Sequence, residues 1–376
     1  VSEPSDLLVV GAGALGLSAA WRAAQRGLRV CVVERDRPGA GATPAAAGLL
    51  APTDPDEWRG ARGAFNVAAM ADWPAFAAEL EQAGDGPIAY RRDGAVRIAL
   101  DEEERAELTL AASVLADAGV AHTLVDAAGV RAAEPNVHGA VAGLIVDSDA
   151  QVDTSRLIAG LVRACTRAGV RMRAPVEPLS TVRDHDGRIE GVRLSDGTEE
   201  RAALTVLAAG AWSSQATWLP PEVRPAVRPV TGEFVLLAGD PAAPVLRRVV
   251  RGRHGSVAPR EGGVLWVGTT VRDAGYVDAP SAGAIHQILQ RWTTLVPAIS
   301  DLGVIRVGHG LRPVTPDGMP YVGLSAIPGL ALATGHGREG IIHAPLAGEA
   351  IAALAAGEEL PALLAPFAPG RGMPTA

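Results

Sequence analysis

Residues 7–50 constrain the fold more than any other stretch of the chain. They open Leu-Leu-Val-Val-Gly-Ala-Gly-Ala-Leu-Gly-Leu-Ser-Ala-Ala and run on to Val-Cys-Val-Val-Glu. The apolar run 7–10 meets Gly11, Gly13 and Gly16, a helix-like segment follows to Gln25, and a second apolar run, 30–33, ends in Glu34. The pattern is a strand-turn-helix-strand unit. Gly11 permits the tight turn, Gly13 lets a pyrophosphate approach the backbone, and Gly16 lets helix and strand pack closely. Phosphate charge then sits on free N–H groups at the helix start, around Ala14 and Leu15. Glu34 lies 18 residues beyond Gly16, where a carboxylate can accept the hydroxyls of an adenosine ribose and disfavours a 2′-phosphate. NADP is disfavoured, and the motif alone leaves NAD and FAD open.

A chain of 376 residues exceeds a usual single core, so two lobes are expected. With 48% hydrophobic and 20% charged residues, it has the apolar surface to bury and does not read as disordered. The formal net charge of −8 leaves no basic stripe for nucleic acid. No run of about eighteen apolar residues suggests a membrane span, and no basic segment before an apolar core suggests a signal peptide, so a cytoplasmic location is expected. Cys31 and Cys165 fall in apolar patterns and read as core thiols, and the histidines show no ligand spacing for a metal. All the basic charge is arginine; without lysine there is neither a P-loop nor a Schiff-base lysine.

Beyond Glu34 and Arg35, residues 38–52 are a run of small side chains that includes Thr43, Ala46, Ala47, Gly48 and Leu49. Their position after the acid-tipped strand suggests a second backbone segment folded against the dinucleotide. Apolar spacing predicts helices over 65–80, 102–118, 153–168 (Asp153 as N-cap), 281–295 and 345–356. A strand pair is expected around Asp93-Gly94, strands over 170–176, 189–194 and 204–207, and alternating strands over 224–239 and 245–271 with a hairpin turn at Gly262-Gly263. The run 206–213, with Ala209, Gly210 and Trp212, reads as the chain's return to the nucleotide crevice, which favours FAD over NAD. Residues 330–334 form a further strand leading to Gly335-His336-Gly337-Arg338-Glu339-Gly340, another helix start suited to partial negative charge.

These blocks resemble the FAD-dependent D-amino acid oxidase and sarcosine oxidase superfamily, and within it the glycine oxidases. The family's Ala-Ala-Ala-Gly-Met-Leu is similar to residues 45–50, its Gly-Leu-Arg-Pro to residues 310–313, and its Gly-His-aromatic-Arg-Asn-Gly to residues 335–340. The resemblance implies an α/β fold with a Rossmann-type, glutathione-reductase-like FAD domain (1–82, 145–222, 306–376). A mixed or antiparallel-sheet substrate domain (83–144, 223–305) would lie over the flavin. It implies non-covalent FAD, with contacts also from Val176, Gly337, Arg338, Gly340 and Ile341. Arg312 would grip a substrate carboxylate, as a bidentate fork suits two oxygens. Arg338 is a second candidate, for the substrate or for the flavin loop. The implied reaction is oxidation of an amino acid with oxygen as acceptor, giving peroxide.

Three departures from the glycine oxidase pattern carry the substrate reading. Ser256 stands where the family has a tyrosine, Gly337 where it has an aromatic residue, and Gly308 where it has a tryptophan. On the order of a few hundred Å³ would be freed, comparable with a small ligand pocket. The expected substrate is an N-substituted glycine with a bulky group, such as an N-carboxymethyl-3-aminoalkanoate of secondary metabolism, cleaved to an amine and glyoxylate. Ordinary glycine, sarcosine or D-amino acid oxidation, and a flavin dehydrogenase with another electron acceptor, are the alternatives. His254 and His309 are further pocket candidates, while Trp212 and Trp266 are expected to pack rather than to catalyse.

Overall fold

The computed structural model describes residues 3–52 and 54–371, and two eight-stranded sheets carry the chain. In the first sheet Ser5–Val10 lies between Val30–Val33 and Glu199–Leu207, both parallel to it, and Arg171–Arg173 and Leu330–Thr334 continue the parallel array. Parallel neighbours need a crossover, and helix Ala14–Gln25 makes the first one. Its Leu17 and Trp21 are fully buried, worth about 1.5–3 kcal/mol for each large apolar side chain. Glycines set the spacing: a Cβ on Gly16 would collide with the Gly11 carbonyl, and one on Gly348 of helix Gly340–Ala355 would lie 2.7 Å from Ser18 Cβ.

The second sheet runs in the order Gly303–Val314, Arg228–Ala238, Val264–Gly268, Gly255–Pro259, Val249–Gly252, Ala95–Ala99, Ala142–Val146, Thr123–Asp126. Val249–Gly252 and Ala95–Ala99 are parallel, and the other neighbours are antiparallel. Helix Ala282–Leu295 packs Ile288 and Trp292 into the core on one side. Among the described residues no helix is long and apolar enough to cross a membrane.

Several sequence expectations need correction. Asp93-Gly94 does not join two strands; residue 91 makes one bridge to Gln151, and Ala95–Ala99 pairs with distant strands instead. The last helix begins at Gly340, five residues before the expected Pro345, because buried Ile341 and Ile342 extend its apolar face. The region 245–271 holds a second turn, at Arg253-His254, besides the one at Gly262-Gly263, where both glycines have positive φ. Two expected domain boundaries cut through strands. Residue 145 lies inside Ala142–Val146 and residue 306 inside Gly303–Val314, which pairs with Arg228–Ala238 along its whole length.

Candidate active site

A cavity of about 1300 Å³ separates the two sheets. This exceeds the usual range for a single small ligand, about 300–1000 Å³. Gly11, Gly13, Ala14, Leu15, Glu34, Arg35, Thr43, Ala46, Ala47, Gly48, Leu49, Ala209, Gly210, Trp212, Gly337, Arg338, Gly340 and Ile341 all line it. Gly16 does not; it acts by packing helix on strand. Val176 does not either: its N–H donates to the Glu34 carbonyl at 2.9 Å and its side chain packs on a cluster with Leu8, Val33 and Val192. The neighbours Glu177, Pro178 and Leu179 reach the cavity in its place.

The cradle fits a dinucleotide. The first intrahelical bond of Ala14–Gln25 runs from the Leu17 N–H to the Gly13 carbonyl (2.9 Å), so the amide of Leu15, which lines the cavity, precedes it and is placed for an anion. The Ala14 N–H donates to Thr43 Oγ1 (3.2 Å), and the nearest atom to a Cβ built on Gly13 is that oxygen, at 3.7 Å. Thr43 therefore caps the helix while its hydroxyl hydrogen stays available to a phosphate oxygen. Glu34 accepts the N–H groups of Ala12 (2.8 Å) and Asp36 (3.1 Å), which orient its carboxylate and leave acceptor sites for a ribose. Arg35 stacks on Trp212, 4.1 Å from the ring centroid, and walls this end.

The small-residue run is pinned against the second sheet. Ala45 accepts the Trp266 Nε1–H (3.2 Å), and Ala46 accepts Thr154 Oγ1–H (3.2 Å) and Arg260 Nη2–H (3.3 Å). Gly48, at φ +77°, has no room for a Cβ beside the Val152 carbonyl, and a Cβ on Gly310 would lie 2.6 Å from that of Ala45. Small side chains are thus required by strand packing as well as by a cofactor.

Arg312 stands on the sheet wall across the cavity. Its Nη1 donates to the Thr270 carbonyl (3.2 Å) and its Nη2 to Thr269 Oγ1 (2.9 Å), so part of the guanidinium fork remains for a ligand. Gly232 makes room for it, since a Cβ there would sit 2.5 Å from Arg312 Cζ. Behind it, buried Glu233 accepts bonds from Thr270 Oγ1 and Arg272 and fixes the Thr269-Thr270 segment. Burial and the nearby Arg338 push the Arg312 pKa down to about 10, against the attraction of Glu233, and it stays cationic at neutral pH. Thr269, Thr270, Gly232 and Glu233 carried no signal in the sequence, because their role is a contact between strands.

Arg338 is already held by two acids, Asp54 and Glu57, the latter at 2.5 Å. Burial disfavours its charge, but Glu57 and Asp54 outweigh that and raise its pKa. Glu57 also bonds Arg62 (3.2 Å), which bonds Glu339 (2.5 Å). The Glu339 carboxyl is raised by burial and by Glu57. Arg338 thus ties the 335–340 turn to residues 54–62, which favours its loop-supporting role over direct substrate binding.

Beside this turn His336, His343 and Asn66 form a buried chain. Asn66 Nδ2 donates to the Glu57 carbonyl (2.7 Å), so its Oδ1 accepts from His343 Nε2 (2.7 Å). A neutral His343 then presents a bare Nδ1, and His336 Nδ1–H donates to it (2.9 Å). His336 Nε2 is left an acceptor, buried and without a partner. Burial lowers the His336 pKa to about 3; burial, His336 and Arg62 lower that of His343. Asn66, a polar residue beside Phe65 on a helix read as apolar, was the available signal for this chain.

The remaining candidates separate. Ser256 lines the cavity from strand Gly255–Pro259. His254 lies exposed in the hairpin turn at the rim, its carbonyl accepting Arg291 Nη1–H (2.8 Å). His309 also lines the cavity, beside Val277, whose carbonyl is 3.0 Å from its Nε2; alternation along the strand puts it on the face opposite Arg312. The space at Gly308 is filled: the Phe234 ring crosses it, 2.6 Å from a built Cβ, and stacks on Trp266 at 6.0 Å. At Gly337 a built Cβ meets nothing within 4 Å. Of the three small replacements, one is refilled from the paired strand. Neither cysteine lines the cavity; both are buried thiols pushed up to about 12 by burial.

A parallel sheet with a glycine turn, an oriented acid and an open helix start, facing a second sheet that presents a half-buried arginine, defines a two-lobed dinucleotide-dependent redox protein. The FAD dependent oxidoreductase (DAO) model matches residues 6–354, and the chain belongs to that family. It is 30% identical over 366 residues to the glycine oxidase of Geobacillus kaustophilus, covering 96% of each chain. Against the glycine oxidase of Pseudomonas aeruginosa it is 32% identical over 376 residues, covering 96% of this chain and 98% of that one. The Geobacillus crystal structure superposes with a TM-score of 0.91 (28% identity, 99% and 100% covered). That of iminodiacetate oxidase from Chelativorans sp. superposes with 0.85 (25% identity, 96% and 98% covered). The chain is a glycine oxidase-like FAD enzyme that oxidises CH–NH groups of amino acids.

Proposed function

We propose that this enzyme oxidises the glycine unit of an N-substituted glycine held by Arg312, with FAD bound non-covalently. The overall change is R–NH–CH2–COO⁻ + O2 + H2O → R–NH2 + OHC–COO⁻ + H2O2. Bound FAD supplies the two-electron acceptor. The chain's own part is binding and orientation: the free edge of Arg312 takes the carboxylate, and the Thr269-Thr270 segment fixes the angle at which the α-carbon faces the cofactor site.

The observation that carries this reading is the cavity itself, continuous from the Gly11–Leu15 turn to Arg312 and Ser256, with open space at Gly337. A substituent on nitrogen leaves the carboxylate and the reacting carbon in register. The substrate named for the Chelativorans enzyme is itself a glycine bearing a group on nitrogen. Free glycine is the second reading, favoured by the two glycine oxidases and by Phe234 filling the space at Gly308. Peroxide formation from glycine, sarcosine and larger N-alkylglycines decides between them: kcat/KM should rise with the substituent, whereas a clear preference for glycine supports the second reading.

A further inference from the structure

The segment between strand Val264–Gly268 and helix Ala282–Leu295 joins the two walls of the cavity. Its first residues, Thr269 and Thr270, orient Arg312. Arg272 is then held twice: its backbone exchanges both hydrogen bonds with Thr231 (2.8 and 3.0 Å), and its side chain bonds buried Glu233 (2.9 Å). Beyond it, residues 273–281 form neither helix nor strand.

Tyr276 carries this segment to the other lobe. Its hydroxyl donates to the Ala211 carbonyl (2.8 Å), with Ser214 Oγ at 3.2 Å, and its ring packs on that of Trp212 with centroids 6.0 Å apart. Among the described residues these are the only hydrogen bonds from 273–280 to the parallel-sheet lobe. The receiving turn, Gly210–Gln215, is itself fixed: Thr334 Oγ1 donates to the Gly210 carbonyl (3.1 Å) and lies 2.8 Å from buried Ser213 Oγ. One residue beyond Tyr276, the Val277 carbonyl meets His309 Nε2 at 3.0 Å. A carbonyl only accepts, so Nε2 carries the proton and His309 ties the segment back to strand Gly303–Val314. Val277 and Asp278 line the cavity, as do Gly210, Ala211 and Trp212. Trp212 also carries Arg35, so the clasp sits at the nucleotide end.

We propose that residues 273–278 are a gate for the cofactor, which holds FAD in the cavity when closed and admits or releases it when the Tyr276 clasp lets go. The inference rests on FAD as the cofactor and is independent of which glycine is oxidised. The clasp is weak enough to open, since it consists of the hydroxyl contacts and one ring contact of an exposed side chain. Gly275, at φ +65°, lies between the fixed Arg272 and the clasped Tyr276 and gives the segment a place to bend.

The test is the rate at which FAD passes. Release is measured on the holoenzyme by exchange of bound FAD against a large excess of radiolabelled FAD, and uptake on the apoprotein by quenching of FAD fluorescence. Tyr276→Phe keeps the ring and loses the donor, and it should release FAD about fivefold faster. Tyr276→Ala loses the ring contact as well and should release it roughly twentyfold faster. A gate is crossed in both directions, so uptake should accelerate by a similar factor and the Kd for FAD should stay within about threefold of the wild type. Release that is unchanged in both variants overturns the gate, whatever happens to Tm. Faster release with unaltered uptake also overturns it, because Tyr276 would then be an ordinary contact of the bound cofactor. Neither readout uses turnover, so the amine oxidase reading stands or falls separately.

Discussion

Gly232 lies beneath the guanidinium of Arg312, so close that a methyl group there would sit 2.5 Å from Arg312 Cζ. The two residues belong to neighbouring strands, Arg228–Ala238 and Gly303–Val314, in which Gly232 pairs with Gly310 and Arg312 with Val230. The anchor's direction is therefore set by an absent side chain. Gly232→Ala should tilt Arg312 out of the cavity and raise KM for glycine or sarcosine at least tenfold. Flavin content should be unchanged, because Gly232 does not touch the Gly11–Leu15 cradle. An unaltered KM would show that the guanidinium does not bind substrate in this orientation.

Thr269 supplies one of the two bonds that orient Arg312. A hydrogen bond to a charged group contributes about 1.5–3 kcal/mol, which corresponds to roughly tenfold to a hundredfold in KM. Thr269→Val should show that loss with kcat less affected, and Thr269→Ser should restore most of it. Equal KM values for the Val and Ser variants would contradict the assignment.

Glu34 is oriented by two backbone N–H groups. Glu34→Ala removes both the ribose acceptor and the brace on the Ala12 turn, so the purified variant should carry less FAD and take it up with at least tenfold weaker affinity. Full retention would show that the adenosine end is held by other residues, such as the Arg35–Trp212 stack.

His336 gives a pH dependence with a defined sign. Its folded pKa, about 3, lies below the ordinary histidine value of 6.5 because burial disfavours the cation. The unfolded chain therefore binds the extra proton first. The stability from the neutral ring is complete above pH 6.5 and is lost as pH falls toward 3, at up to about 1.4 kcal/mol per pH unit. His336→Gln removes this titration. The difference in unfolding free energy, wild type minus variant, should fall steadily between pH 6.5 and 5 by denaturant titration; a constant difference would contradict the buried neutral assignment.

The nucleotide half of the site was legible because its chemistry is local. Gly11, Gly13, Gly16, Glu34 and the residues at 45–48 act through backbone conformation and close approach over short spans, and such needs are written in residue type and spacing. Arg312 was legible only through its motif. What holds it comes from strands 228–238 and 264–268 and from Thr269-Thr270, and strand register is not recorded in any one segment. The same limit explains Gly308. Read alone, it suggested vacant space, but its partner across the ladder is Phe234, whose ring occupies that place. His309 reaches the cavity, but alternation along the strand turns it away from the residue three positions on. Arg338 was read near the site, and the acids that bind it, Asp54 and Glu57, lie some 280 residues earlier in the chain.

Anaerobic reduction of the bound flavin by sarcosine, followed in the wild type and in Arg312→Gln, tests the central claim most directly. Loss of a bidentate charged contact at about 1.5–3 kcal/mol per bond should raise the half-saturating sarcosine concentration at least a hundredfold, with the oxidised flavin spectrum unchanged. Half-saturation within threefold of the wild type would mean that the carboxylate is held elsewhere, and a wild-type flavin that no N-substituted or free glycine reduces would remove the amine oxidase assignment itself.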